Sequence, residues 1–346
     1  MSKKATLRDV AERAGVGLAT VDRVLNERGE TSAATTAKVI EAAKAVGLRR
    51  VLPEPHRAIR RLRFIVPPPN SPFRQRLNDS LRALRQRGGS SVLVSLSHAD
   101  PMDAQAIAAE LAKNTDDAVA FCRWGQGDAV MQAAVSGLRA KRQAAYSLLN
   151  APEGLSCDGF FGMDNQAAGR TVAALAKGRL QEYRDVMVLS PMRDTPLQDG
   201  TDPNARQHGF AEAMARYLPG SRIVAVDGTR NDPERVFALA SQAFAANPNI
   251  GMVYNLGSGN PGLRAVLMAQ RERRPVFAVA HELSETTEQM LRERLLDFVI
   301  NQQVEATLAR AVEVMLTGSN GVPQPGNGLH YIPFAVHCIE NLPSRL

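Results

Sequence analysis

At 346 residues the chain is longer than one hydrophobic core ordinarily holds, and a composition 44% hydrophobic and 22% charged excludes a disordered or fibrous chain. The polar start Met1-Ser-Lys-Lys-Ala-Thr6 leads into no apolar run, which argues against a signal peptide or membrane span and for a cytoplasmic protein. Three scattered cysteines (Cys122, Cys157, Cys338) fit neither a disulfide framework nor a Cys-x-x-Cys metal site. Residues 1–63 hold fourteen Lys or Arg against seven Asp or Glu; of the totals of 42 and 35, 28 of each remain for residues 64–346. All the positive excess lies in the first fifth, as in a segment that meets a polyanion, and nucleic acid is the expected partner.

Thr6-Leu-Arg-Asp9 has the capping-box spacing, apolar Leu7, Val10, Ala11 and Ala14 follow at helical intervals, and Gly15 supplies a left-handed stop. A second helix starts within a few residues, and a third runs from Ser32 with Val39, Ile40, Ala43 and Val46 inward until Gly47. Two short helices joined by a tight turn and braced by a third form a helix-turn-helix. On a wheel of about 100° per residue, Val21, Val24 and Leu25 form the inner face of the second helix, with Leu18 at its border. Ala19, Asp22, Arg23 and Asn26 form the outer face. Ala19 allows close approach to a groove, Arg23 can address guanine O6 and N7, and Asn26 adenine or a phosphate. Asp22 has no cation three or four positions away, so an intrahelical ion pair does not account for it. It is read as a specificity residue that accepts from cytosine N4, penalises acceptors there, or orients a more distant arginine.

Thr6-Leu-Arg-Asp-Val-Ala-Glu-Arg-Ala-Gly-Val16, Ala19-Thr-Val-Asp-Arg-Val-Leu-Asn26 and Thr36-Ala-Lys-Val-Ile-Glu-Ala-Ala-Lys-Ala-Val-Gly47 resemble the DNA-binding domain of the lactose-repressor (LacI/GalR) family. That resemblance implies base reading by Leu18, Ala19 and Arg23 and phosphate contacts by Thr20 and Asn26; Asp22 stands where the family usually has Ser. Residues 49–62 follow as a basic hinge or linker with prolines at 53 and 55. In the family this region forms a hinge helix whose Leu wedges into the minor groove, which makes Ile59 and Leu62 the candidate wedges. The family's Tyr-x-Pro-Asn…Ala-x-x-Leu pattern is absent, and a basic linker tracking phosphates is the alternative.

From Arg63 onward short apolar runs alternate with helical stretches: Phe64–Val66, Ser91–Leu96, Ala118–Phe121, Ala144–Leu149, Val186–Leu189, Ile223–Val226, Gly251–Tyr254, Val276–Ala280 and Phe298–Ile300. This is the pattern of βαβ units in parallel sheets flanked by helices, and nine strands call for two lobes. Ligands bind such sheets beyond the carboxyl ends of the strands. The polar or aromatic residues there are Asn70, Phe73, Arg123, Trp124, Asp164, Asn165, Arg206, Asn255, His281, Glu282, Asn301, Gln302 and Gln303. They include no Ser/His/Asp order and no metal-ligand spacing, which points to a non-enzymatic site that needs no metal or cofactor and holds a neutral polyhydroxylated ligand by amides and charges, with an aromatic face against its C–H surface.

Gly159-Phe-Phe-Gly-Met-Asp-Asn-Gln-Ala-Ala-Gly-Arg-Thr171, Arg206 in Ala205-Arg-Gln-His-Gly-Phe210, Tyr254-Asn255 and Val336-His-Cys-Ile-Glu-Asn-Leu-Pro343 resemble the same family's effector domain, which is similar to ribose-type periplasmic sugar-binding proteins. The resemblance implies a cleft lined by Asn165, Arg206, Asn255, Glu282 and Gln302, with Asn70 and Phe73 from the first lobe. The expected organisation is a DNA-binding domain over 1–48, a linker over 49–62 and a two-lobed domain over 63–346. Lobe 1 is expected to take about 63–163 and 303–330, and lobe 2 about 164–302 and 331–346. The function so implied is that of an operator-binding regulator, generally a repressor and a homodimer, modulated by a sugar, polyol or sugar acid. One rival motif stands beside it: Gly257-Ser-Gly-Asn-Pro-Gly262 with Glu282 twenty residues on has the form of a dinucleotide fingerprint, as in an oxidoreductase or nucleotide sensor.

Overall fold

Thr6 opens the first helix as its spacing predicts: Asp9 N donates to Thr6 Oγ1 at 3.4 Å and Thr6 N to Asp9 Oδ2 at 2.7 Å. The structure, a computed structural model, describes residues 5–26, 31–48, 59–87, 92–125, 127–180, 184–191, 202–272, 275–317 and 328–342. The chain divides into two compact units, Met1–Arg60 and, for the most part, Arg61–Leu346, from which 88–93 group with the first.

The first unit holds α1 (Leu7–Ala14), α2 (Leu18–Leu25) and α3 (Ala33–Ala45). Gly15 ends α1 at φ 66°, a left-handed conformation that glycine takes without a Cβ penalty. Ser32 caps α3 by accepting from Thr35 N. Val10, Val21, Val24, Leu25, Val39, Ile40, Ala42 and Ala43 make its core, so the inner face of α2 is the one the wheel predicts.

The second unit is built on two sheets. The first contains β1 (Arg60–Val66), β2 (Val92–His98), β3 (Ala118–Phe121), β4 (Ala144–Leu148), β5 (Gly159–Gly162) and β11 (Leu329–Tyr331), in the order β11-β5-β4-β3-β1-β2. The second contains β6 (Asp185–Leu189), β7 (Ile223–Val226), β8 (Ile250–Asn255), β9 (Phe277–His281), β10 (Phe298–Asn301) and β12 (Ala335–His337), in the order β12-β10-β9-β8-β6-β7. The helices are α4 (Pro72–Arg87), α5 (Ala104–Ala112), α6 (Ala129–Ala140), α7 (Asn165–Lys177), α8 (Asp202–Tyr217), α9 (Pro233–Ala246), α10 (Asn260–Arg271), α11 (Glu285–Arg292) and α12 (Val304–Thr317), with a 3-10 turn over Ile339–Asn341. β10 and β12 pair antiparallel, and β1–β3, β3–β4, β4–β5, β5–β11, β6–β7, β6–β8, β8–β9 and β9–β10 pair parallel. Alternate residues of β6 face opposite cores, Val186 and Val188 on one side and Met187 and Leu189 on the other, which is why that strand reads as an unbroken apolar run.

Both sheets begin at an inner strand, step to the outer edge, and return past the start, so each has a topological switch point: β1/β3 in the first and β6/β8 in the second. A crevice beyond the carboxyl ends of the strands at such points is where open α/β sheets take ligands. The chain passes between the sheets after β5, after β10 and between β11 and β12.

All nine apolar runs are strands, while β5, β11 and β12 are additions that sequence reading did not treat as strands. The candidate hinge needs correction. Residues 49–58 lie outside the described residues, but Arg60–Val66 is strand β1, not the end of a helix. Leu62 pairs with Ala118 and is fully buried, because the alternating Leu62 and Phe64 turn into the sheet. It is a core residue here rather than a wedge, whereas Ile59, just before the strand, is 54% exposed. No helix of the described residues is long and apolar enough to cross a membrane.

Candidate functional site

The outward face of α2 carries the side chains expected to read DNA. Leu18, Ala19 and Arg23 are exposed, and Thr20, Asp22 and Asn26 half-buried. Asn26 Nδ2 donates to Asp22 Oδ1 at 2.6 Å. The partner of Asp22 is thus not a cation but the Asn26 amide, one turn on. One carboxylate oxygen is occupied, and the amide of Asn26 is held in a set orientation.

In the second unit, two helices deliver Arg206. Gly169 on α7 and Gly209 on α8 have no side chain, and a Cβ on either would collide with the backbone carbonyl oxygen of Arg206 or Gln166. This close approach brings Arg206 Nε to Asn165 Oδ1 at 2.8 Å, while Nη1 donates to Leu256 O at 2.7 Å. Asn165 and Arg206, both buried, are therefore brought together as expected. Asn255 is buried too, but its amide is spent on its own loop, donating to Asn260 Oδ1 at 2.9 Å.

Glu282 and Gln302 also meet: Gln302 Nε2 donates to Glu282 Oε1 at 2.7 Å. Arg76, from α4 of the other lobe, donates to Glu282 Oε2 at 2.9 Å, to Leu283 O at 3.0 Å and to Asn301 Oδ1 at 3.3 Å. The guanidinium thus ties the first lobe to the ends of β9 and β10. Glu282 itself sits at φ 68°, a left-handed strain in a non-glycine residue, braced by its N–H on Ile300 O and its carbonyl on Thr287 Oγ1. Burial pushes its carboxyl above the ordinary range, against the opposing pull of Arg76, Arg206 and Gln302. Beneath it His281 is buried, its Nε2 2.8 Å from the Tyr254 hydroxyl, and burial with the nearby Arg206 charge holds its pKa well below 6.5.

Asn70, Phe73, Arg123 and Trp124 lie at the switch point of the first sheet, but Arg74 and Arg76 organise them. Arg74 Nη1 donates to Asn70 Oδ1 at 2.8 Å, and its guanidinium lies 4.7 Å from the centre of the Trp124 ring. Arg76 lies 5.8 Å from the Phe73 ring centre. Arg123 turns Nη1 to the carbonyls of Pro101, Met102 and Trp124 and sets Nη2 3.5 Å from Asp128, while its buried Nε has no partner among the described residues. It clamps its own loop. Sequence reading missed Arg74 and Arg76; the available signal was two arginines in the first turns of a helix, where a cation is electrostatically unfavourable.

The glycine-rich stretch has another physical reason. Cβ atoms at Gly257, Gly259 and Gly262 would strike Asn231, Val236 and the Pro233 carbonyl respectively, so the glycines admit α9 and its preceding loop. Ser258 N, an amide that a phosphate cradle would present, donates to Asn231 Oδ1 at 2.7 Å, and Glu282 is engaged by Arg76 and Gln302. Among the described residues, no cluster of three or more His, Cys, Asp or Glu could hold a metal ion.

Fold and site together define a two-lobed α/β ligand-binding domain that follows a helix-turn-helix unit. Residues 62–321 match the family model "Periplasmic binding protein domain", and residues 6–50 match "Bacterial regulatory proteins, lacI family". The larger part of the chain, residues 62–321, is a periplasmic-binding-protein domain, and residues 6–50 are a DNA-binding module of the lacI type. Among solved structures it is similar to GanP, a glucose-galactose binding protein from Geobacillus stearothermophilus (15% identity, TM-score 0.68, 82% of this chain and 99% of that one). It is also similar to a periplasmic solute binding protein from Actinobacillus succinogenes with bound D-allose (16% identity, TM-score 0.68, 81% and 98%). A putative LacI transcriptional regulator from Bacteroides fragilis is similar as well (15% identity, TM-score 0.67, 82% and 98%). At these identities the likeness speaks for the fold alone. No curated protein matches the chain.

Proposed function

We propose that this protein is a sequence-specific DNA-binding transcription regulator, a repressor in its DNA-bound state, whose operator affinity is set by a sugar-like effector held between two lobes. The observation that carries the reading is the outward face of α2, with Leu18, Ala19 and Arg23 exposed in a unit that matches the lacI-family model. A homodimer would set two such helices in successive major grooves of a pseudo-palindromic operator. Within the cleft, Asn165 with Arg206 and Glu282 with Gln302 present paired donors and acceptors suited to hydroxyl groups. An effector that favours one lobe arrangement shifts DNA affinity by its differential binding, typically about 1–3 kcal/mol.

The test is fluorescence anisotropy of the full chain on genomic fragments flanking its own gene, at several salt concentrations and with a panel of sugars, polyols and sugar acids. Affinity for one fragment that falls steeply with salt and changes with one panel member is expected. Binding that is equal on all fragments, or indifferent to salt, rules the reading out. The nucleotide reading is tested alongside it with NAD and NADP, for which no saturable binding is expected.

A further inference from the structure

Of Arg74, Arg76 and Arg206, Arg76 alone forms an ion pair among the described residues, with Glu282. Arg76 pairs with Glu282 at 2.9 Å, and Arg206 adds its field there. Arg206 is 6% exposed, and its own hydrogen bonds go to neutral acceptors, Asn165 Oδ1 and Leu256 O. Arg74 forms no ion pair among the described residues; the one hydrogen bond of its side chain there is to the neutral Asn70 side chain. Asp100, whose field supports the Arg74 charge, turns an oxygen to the Met102 amide instead. Arg74 also stands in the first turn of the 16-residue α4, where the helix amides already add positive potential and no acidic residue offsets them. Burial lowers the Arg74 pKa, and the opposing pull of Asp100 does not offset it.

The Trp124 ring sharpens the point. Sequence reading expected this aromatic face to receive the C–H surface of a neutral sugar, but Arg74 lies over it. With one face of the guanidinium on the ring and Nη1 on Asn70, what remains is the edge bearing Nε and Nη2, the fork that matches two oxygens of a carboxylate or phosphate.

We propose that the effector is a hydroxylated compound bearing an anionic group, a carboxylate or a phosphate, and that Arg74 at the switch point of the first sheet receives that group. This deepens the effector reading above and rests on it: hydroxyls go to the Asn165–Arg206 and Glu282–Gln302 pairs, and the negative charge goes to Arg74.

Trp124 is the sole tryptophan of the sequence, so its emission reports on this site and not on the DNA-binding unit. The first measurement titrates the full chain with inorganic phosphate at constant ionic strength and follows Trp124 emission. A saturable change is expected, at least tenfold weaker in Arg74→Gln and largely kept in Arg74→Lys, with far-ultraviolet circular dichroism unchanged in both. No saturable change, or one that Arg74→Gln leaves intact, overturns the proposal. The second measurement compares D-glucose, D-glucuronate and D-glucose 6-phosphate by the same signal. Tighter binding of either anion than of glucose supports the proposal and says which anion is taken. Glucose binding as tightly as both, in wild type and Arg74→Gln alike, overturns it while leaving a sugar-responsive regulator standing. Phosphate bound through Arg74 with all three sugars excluded upholds the anion site and counts against the sugar-like effector.

Discussion

The DNA-binding unit and the cleft both rely on arginine, but they hold its charge in opposite ways. Residues 1–63 carry a net excess of seven positive charges, and Arg23 on α2 is exposed, available to a long polyanion that brings its own counterions. Residues 64–346 carry no net charge, 28 basic against 28 acidic, yet Arg76 pairs with Glu282 while the side chains of Arg74 and Arg206 hydrogen-bond neutral acceptors among the described residues. A bulk count of charge therefore finds the basic first segment and misses how single guanidinium groups of the second unit are held. The second is a matter of which few charges are brought together and dried.

The largest effect expected on that comparison comes from the helix contact that aims Arg206. Gly169→Val sets a side chain against the Arg206 carbonyl, a backbone atom that cannot swing away. It should destabilise the second unit by about 3 kcal/mol in urea unfolding, at the upper end of overpacking costs. Unchanged unfolding would mean that α7 and α8 do not need their close approach. Next, Arg23→Ala should cost about 2 kcal/mol of operator affinity in anisotropy titrations, with little loss on random DNA, if Arg23 reads a base. Equal loss on both DNAs would reduce it to a phosphate contact and weaken the contrast between an exposed reading face and a buried anion site.

A smaller effect separates the two units by pH. His281 is buried in the second unit with a folded-state pKa well below its unfolded value of 6.5, so the unfolded chain binds the proton more readily. Its contribution to stability is present above pH 6.5 and is lost as pH falls toward the folded pKa. His281→Gln, which keeps a polar group toward Tyr254, should flatten that part of the stability profile; an unaltered slope would show that another group sets it. Smallest of all, Asp22→Ser releases Asn26 Nδ2 from its 2.6 Å hydrogen bond. Non-specific DNA binding should tighten as a carboxylate leaves the phosphates, and preference at one half-site position should relax, each by less than about 1 kcal/mol. A selection experiment on randomised half-sites that returns the same preference would make Asp22 a bystander.

Much of the fold was legible because its elements are local. Thr6 and Asp9 cap α1 at a three-residue spacing, Gly15 ends it, and the apolar runs from Phe64 to Ile300 each mark a strand through their own side chains. β11 and β12 were not legible: three residues each, they are strands only because β5 and β10 lie beside them. Leu62 misled for a related reason. Its basic neighbours resemble a DNA-contacting linker, and only the pairing with Ala118 shows that the chain has already entered the sheet. The glycines of Gly257–Gly262 likewise carry a nucleotide pattern in sequence, while the reason for them is the approach of α9.

The sequence by itself determined the helix-turn-helix, the alternation of strands and helices, and the residue types at the strand ends, since each depends on periodicity or on neighbours within a few positions. Only the tertiary structure decided which of those strand-end residues are still free to meet a ligand. Arg123 is spent on its own loop and Asn255 on α10, while Arg76 crosses 206 positions of sequence to reach Glu282 and Arg74 covers Trp124. Such pairings are set by which sheets and helices pack together, and a guanidinium selects its partner by distance and burial, neither of which a linear chain records.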